Sequence, residues 1–236
     1  MHMAQAFPAA LKDYKKPFEI IGLERFIQTG VPSVEAFSRG LNDSGIVKSA
    51  LHEVYAEAEA DSAAAIGFIL LAAQMSSASR QNMLWVRQEQ VQHERGAIYP
   101  PGLQHLGLTP ETIIAVSAKD TLGVLQAGLE GAQCSSLNTV IVEFHGAAGA
   151  YDITASRRLS FAAKASGTRV FVMRSAADIV PSAAETRWKL RTAPSQVLLA
   201  NAPGHPRFEL TLLRHKGGHE GRNWTVGWNH DSRSFN

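Results

Sequence analysis

Apolar positions along the chain fall into short runs separated by helix-length stretches, and then give way to alternation. The runs are LHEVY (Leu51–Tyr55), NMLWV (Asn82–Val86), TIIAV (Thr112–Val116), NTVIVEF (Asn138–Phe144) and RVFVM (Arg169–Met173). Each has the length of a strand, and their nearly continuous apolar character suits strands covered on both faces. Helical patterns occupy about Asp61–Met75, Lys119–Ala132 and Asp152–Ser166. On the last, Ala155, Leu159, Ala162 and Ala163 share one stripe, with Arg157, Arg158 and Lys164 left for solvent. Strand, helix, strand at this spacing predicts a parallel sheet. From Thr186 the period changes to two: Arg187, Lys189 and Arg191 fall on one side, Trp188 and Leu190 on the other. That is a half-exposed strand with three cations on one face. Phe208–Leu213 and Trp224–Trp228 continue as edge-type strands, linked through the glycine-rich KGGHEG of residues 216–221. The expected architecture is α/β: a mostly parallel sheet flanked by helices, with a C-terminal antiparallel extension.

Residues 1–40 read as an N-terminal extension with helical patterns at Pro8–Lys16 and Glu19–Gln28, and residues 41–236 as one core domain. At 236 residues and 45% hydrophobic content the chain can bury one good core, which excludes disorder over its whole length. The single cysteine, Cys134, excludes a disulfide framework or a CxxC metal clip. It reads as a small core or helix-end residue, and a reducing cytoplasm is the expected compartment. No charged start is followed by a long apolar run, and the most apolar window, Ala63–Ala73, is too short to span a bilayer. Charge is unevenly divided. Residues 1–156 hold 10 Lys and Arg against 16 Asp and Glu, a net of −6, while residues 157–236 hold 13 against 5, a net of +8. Such asymmetry suggests a face for an acidic partner or nucleic acid.

The turn after the first strand is where a phosphate-binding loop, G-x-x-x-x-G-K-[ST], would lie. Glycine there lets backbone N–H groups approach phosphate, lysine supplies charge and the hydroxyl ligates magnesium. Here the eight positions are Ala56, Glu57, Ala58, Glu59, Ala60, Asp61, Ser62 and Ala63. Glycines and lysine are missing, and three carboxylates would repel a polyphosphate. Asp61 or Ser62 can instead cap the following helix. Glu89, beyond the second strand, and Glu143, at the end of the fourth, occupy the places where an ATPase carries its water-activating and magnesium-holding acids. Without lysine and hydroxyl they have no phosphate to act on. His215 and His219 lie in a glycine-bearing loop, with His230 further on, and lack the helical spacing of zinc ligands. His145, at a strand end, reads as structural. No serine sits in a nucleophile elbow. The expectation is a protein without catalytic residues, cofactor or metal.

In this order the strands and loops resemble a RecA-type core with a degenerate P-loop. His52-Glu53-Val54-Tyr55 stands at the loop entry, and VIVEF, ending near Glu143, at the Walker B place. More narrowly, YPPGLQHLGL (99–108), RRLSFAAKASGTRVFVMR (157–174), SAAETRWKLRTAPS (182–195) and WNHDSRSF (228–235) resemble the ImuA family, RecA-like accessory proteins of SOS mutagenesis. The resemblance covers roughly residues 45–235. It implies a non-catalytic adaptor working with the Y-family polymerase homologue ImuB and an error-prone polymerase III α-type subunit in translesion synthesis, with RecA as a further contact. Phe7 and Ala10, three apart, resemble the polymerisation motif between RecA-type subunits, which would imply self-association. RecA grips single-stranded DNA with the loop after its fifth strand. The matching stretch here, Arg174–Glu185, has Arg174 as its one cation. Arg187, Lys189 and Arg191 are the other candidates for DNA or partner contact, and phosphate contacts would make binding salt-dependent. Two other readings stay open: a division inhibitor of the SulA type, which also resembles RecA without a P-loop, and an ATPase with a divergent loop.

Overall fold

A computed structural model describes residue 46 and residues 49–75, 82–147, 149–202, 204–216 and 221–235. Phe7, Ala10 and the helical patterns expected before residue 40 lie outside the described residues, as does His219. The elements are β1 (Leu51–Ala56), α1 (Ser62–Gln74), β2 (Met83–Gln88), α2 (Glu89–Arg95), α3 (Pro100–His105), β3 (Ile113–Ala118), α4 (Thr121–Gln133), β4 (Thr139–His145), α5 (Ile153–Ser166), β5 (Arg169–Ser175), β6 (Thr186–Thr192), β7 (Arg207–His215), β8 (Arg222–Asn229) and β9 (Ser234–Phe235). They form one sheet in the order β3-β2-β4-β5-β1-β6-β7-β8-β9. β3 to β6 in that order are parallel to their neighbours, and β6 to β9 are antiparallel. The expected α/β fold with an antiparallel C-terminal extension is therefore present.

Direction of travel decides which face each helix covers. The β1-α1-β2 connection crosses the sheet one way, whereas β3-α4-β4 and β4-α5-β5 cross it the other way. Right-handed crossovers then put α1 on one face and α4 with α5 on the opposite face. The two-residue period of the strands supplies both. Val54, Trp85, Ile141, Phe171 and Met173 pack with α1. Leu51, Leu84, Val86, Val140, Val142 and Val172 pack with Val124, Leu125, Leu159 and Ala163 of α4 and α5. The α1 core runs on across Trp188, Leu190, Phe208, Leu210, Val226 and Trp228, so the antiparallel strands extend the same hydrophobic layer.

α4 lies very close to the sheet. A Cβ on Gly128 would meet Val142 Cγ2 at 2.6 Å, and one on Gly131 would meet Leu84 Cδ2 at 2.3 Å. Asp120 caps α4 by accepting from Gly123 N, and Asp152 caps α5 by accepting from Ala155 N. Gly167, at φ 80°, ends α5 in the left-handed conformation that glycine adopts without strain. At the far end of α1, buried Arg169 donates to the Ala72 carbonyl at 3.2 Å, and burial lowers its pKa to about 10. The polar segment after β2 forms the helix α2, which its lack of an apolar stripe did not announce. Only Val91 of α2 is buried.

Candidate functional site

Ligands of open α/β sheets bind beyond the carboxyl ends of the parallel strands. In this chain that edge is the loop Glu57–Asp61, the ends of β2, β4 and β5, and the loops that follow β4 and β5. Its polar side chains are largely engaged with one another.

The loop after β1 is joined to β6. Glu57 N donates to Leu190 O at 2.8 Å, and Lys189 Nζ reaches Glu57 Oε1 at 2.6 Å. Arg191 stands 4.0 Å from Glu57 Oε2 and donates from Nε to Glu209 at 2.6 Å. Asp61 accepts from Thr192 N at 2.8 Å and from Ala58 N at 3.1 Å. Partial burial tends to raise the Asp61 pKa, but the hydrogen bonds from Thr192 and Ala58, with Arg191 nearby, outweigh it and hold the carboxyl below its ordinary value. Asp61 is the residue before α1, yet its side chain makes no capping bond to that helix. Ser62 Oγ donates to Glu59 O at 2.7 Å. The expected capping role of Asp61 or Ser62 is thus replaced by bonds to the 3-10 turn (Glu59–Asp61) and to β6. Ala56 ends the strand and Ala63 lies in the first turn of α1.

On the α1 face, Glu143 is 2% exposed and accepts from Trp85 Nε1 at 2.8 Å and Arg87 Nε at 3.0 Å. Arg95 of α2 approaches its other oxygen at 3.5 Å and donates to Ser175 Oγ at 2.7 Å. Two guanidinium groups and an indole therefore surround the carboxylate. Among the described residues, Glu59, Glu94 and His145 bring ligand atoms within 4.8 Å of one another. Arg95 Nη2 already lies 3.1 Å from His145 Nδ1 and 3.8 Å from Glu59, so a cation occupies that neighbourhood and opposes a metal ion there. Glu89 is exposed in the first turn of α2.

The opposite face holds a second buried cluster. Glu53, fully buried, accepts from Tyr151 Oη at 2.6 Å and from Arg187 Nε at 2.7 Å. Arg187 Nη2 also donates to Val180 O at 2.7 Å and Ser182 Oγ at 2.9 Å, while Arg214 donates to Ser182 O at 2.8 Å. Burial first, then the charge and hydrogen bond of Glu53, push the Tyr151 phenol well above its usual pKa. Arg174, 2% exposed, lies over the rings of Phe144, Tyr55 and Tyr151 at 5.3–5.7 Å and donates to Gly146 O at 3.1 Å.

These positions correct the expectation of three solvent-facing cations on β6. Among the described residues it is the loop 176–185, not a helix, that lies over Arg187 on that face of β6, leaving it 7% exposed and paired with Glu53. Arg174 is buried as well. Lys189 and Arg191 do face outward, though both are ion-paired, and Trp188 and Leu190 are buried as expected. Cys134 is exposed at the end of α4. The rings of His205 and His230 lie 4.8 Å apart; burial first, then His205, lowers the His230 pKa. Sequence reasoning missed the roles of Glu53, Arg95 and Tyr151. The signal for Glu53 was available, since a charge in a strand that is otherwise wholly buried requires a partner.

The chain is an α/β protein whose sheet edge is closed by its own ion pairs. Compared with known proteins, its sequence matches no family model, and no curated protein matches it. Among the described residues, no helix is long and apolar enough to cross a membrane.

Proposed function

We propose that this chain is a non-catalytic adaptor on a RecA-type core with a degenerate P-loop, of the ImuA kind, serving damage-induced translesion synthesis in the cytoplasm. The observation that carries the reading is the closed loop after β1. Glu57 pairs with Lys189, and Asp61 accepts from the backbone of both Ala58 and Thr192. A phosphate-binding loop needs free N–H donors and positive charge at that place. This one presents carboxylates and spends the N–H groups of Glu57 and Ala58 on protein acceptors. The central position of β1, between β5 and β6, and the acidic end of β4 agree with a RecA-type layout. Glu143 then serves as the anchor for Arg87 and Arg95 rather than as a magnesium ligand. The partners of the reading are an ImuB-type polymerase homologue and an error-prone polymerase III α-type subunit, with RecA as a further contact.

The test is a titration with a fluorescent ATP analogue and magnesium, with RecA as the positive control, followed by binding to purified ImuB-type protein. No nucleotide binding up to millimolar concentrations, together with a stable complex, is expected. Saturable micromolar nucleotide binding would move the divergent ATPase reading to the front. Failure to bind the polymerase homologue would remove the translesion role and leave the division-inhibitor reading to be tried.

A further inference from the structure

A groove lies between α4 and α5, and none of the side chains that build the two ionic clusters lines it. Leu122 and Leu129 of α4 line it from one side, and Arg158, Phe161 and Ala162 of α5 from the other. It comprises two troughs, about 670 Å³ toward the C-terminal ends of the helices and about 260 Å³ toward their N-terminal ends, which share Leu129 and Arg158. Phe161 is 72% exposed and Leu122 57%. Isolated exposed apolar side chains are ordinary, but these border adjoining troughs that share two lining residues. From Leu122 to Gln133 the groove runs for about 16 Å, the length of a three-turn helix or about five extended residues.

Charge indicates what fits. Arg158 lines both troughs, and Arg157 and Lys164, outside the lining, add positive charge to the same helix; all three are exposed, and among the described residues none of them is in an ion pair. The carboxylate in the lining, Asp152, is engaged in capping α5, accepting from Ala155 N at 2.7 Å. We propose that the groove docks an acidic segment of a partner protein. Large apolar side chains of that segment fill the space beside Leu122 and Phe161, and its carboxylates meet Arg158, with Arg157 and Lys164 of the same helix adding to the attraction. Arginine suits the role because its planar fork can hold a carboxylate through two parallel hydrogen bonds. The inference goes beyond the adaptor reading and does not depend on it, since no residue of the loop after β1 lines the groove.

The test uses the full chain and two sets of fluorescein-labelled dodecamer peptides. Both sets carry leucine and phenylalanine at helical spacing; one has glutamate and aspartate elsewhere, the other lysine and arginine. Fluorescence anisotropy is expected to show saturable binding of the acidic set and none of the basic set, weakening as salt rises. Phe161→Ser and Arg158→Glu should each weaken the acidic peptides at least about tenfold, with unchanged melting temperature because both positions are exposed. Absence of acidic-peptide binding, equal binding of the two sets, or indifference to both substitutions would overturn the proposal. So would a dimer, seen by sedimentation velocity across a concentration series, that Phe161→Ser abolishes, because the groove would then belong to a second copy. The nucleotide titration reads a different surface, so either idea can fail alone.

Discussion

Glu53→Gln is the most direct test of the buried cluster that secures the loop after β5. The substitution keeps shape and volume and removes one negative charge from a fully buried position. Each Glu53 oxygen accepts a short hydrogen bond, 2.6 Å from Tyr151 and 2.7 Å from Arg187. In the variant, the buried Arg187 loses its carboxylate, and Arg174 close by has only aromatic faces and one carbonyl. Breaking one side of a buried ion pair costs about 3–5 kcal/mol, because the remaining charge stays out of water. Set against a typical stability of about 5–15 kcal/mol, that is a large fraction. With a urea m-value near 2 kcal/mol/M, the unfolding midpoint should fall by about 2 M with m unchanged. Trp85 and Trp188, 6% and 3% exposed, give a fluorescence signal for the assay. Glu53→Gln/Arg187→Met should recover part of the loss, the double variant being more stable than the sum of the singles by about 2 kcal/mol. That double variant also keeps the test alive should Glu53→Gln alone fail to fold. A loss below about 1 kcal/mol, or strict additivity, would refute the view that Glu53 and Arg187 act as a pair.

Two further outcomes follow from packing and from titration. Gly131→Ala should destabilise by about 1–3 kcal/mol, since its Cβ would lie 2.3 Å from Leu84 Cδ2, whereas Gly67→Ala in α1, with nothing within 4 Å, should stabilise by about 0.5–1 kcal/mol. Urea melts of both variants check this, and two effects of the same sign would contradict the packing. Tyr151→Phe should cost about 1 kcal/mol at neutral pH through the lost bond to Glu53. It should also change the alkaline limb. The native phenol keeps its proton above the ordinary value of 10.0, so its contribution is present below that pH and is lost as pH rises through the folded value. Stability measured against pH should therefore fall less steeply above pH 10 in the variant, and an identical slope would show that Tyr151 is not the group responsible.

The strands were legible because their signal is local. Leu84 and Val86 face α4 and α5 while Met83 and Trp85 face α1, and a strand buried on both sides reads as an unbroken apolar run. The antiparallel strands announced themselves through alternation, and α5 through its stripe. What could not be read was set by contacts remote in sequence. Arg187 falls on the polar side of an alternating strand, and nothing in that alternation tells that loop 176–185 will lie over it or that Glu53, 134 positions away, will meet it. α2 escaped notice because it buries a single residue, leaving no periodicity to detect. The candidate site was half legible. The missing glycines and lysine were visible in the sequence, whereas the bonds from Lys189 and Thr192 that close the loop depend on β6 pairing with β1.

The uneven charge of the chain takes on a different meaning in the fold. An acidic first part and a basic second part suggest, in sequence, a surface for an outside partner. Part of the imbalance is spent within the molecule, where acids of the first part meet bases of the second: Glu53 pairs with Arg187 and Glu57 with Lys189. These pairs join β1 and its loop to β6, and parallel register places them side by side, Glu53 opposite Arg187 and Tyr55 opposite Lys189. Carboxylates that would repel a polyphosphate therefore have a structural role in tying β6 to the sheet centre. Removing Glu57 and Asp61 to restore a phosphate loop would at once leave Lys189 without its carboxylate and Thr192 N without its acceptor. A single lysine at Ser62 cannot undo that arrangement, because the acids opposing phosphate are the same ones that hold the edge together. Among the described residues, Arg157, Arg158 and Lys164 on α5 are exposed cations outside any ion pair. Outward-facing cations that no carboxylate neutralises are thus found on α5, Arg158 in the lining of the apolar groove among them, whereas Lys189 and Arg191 of β6 face outward already paired.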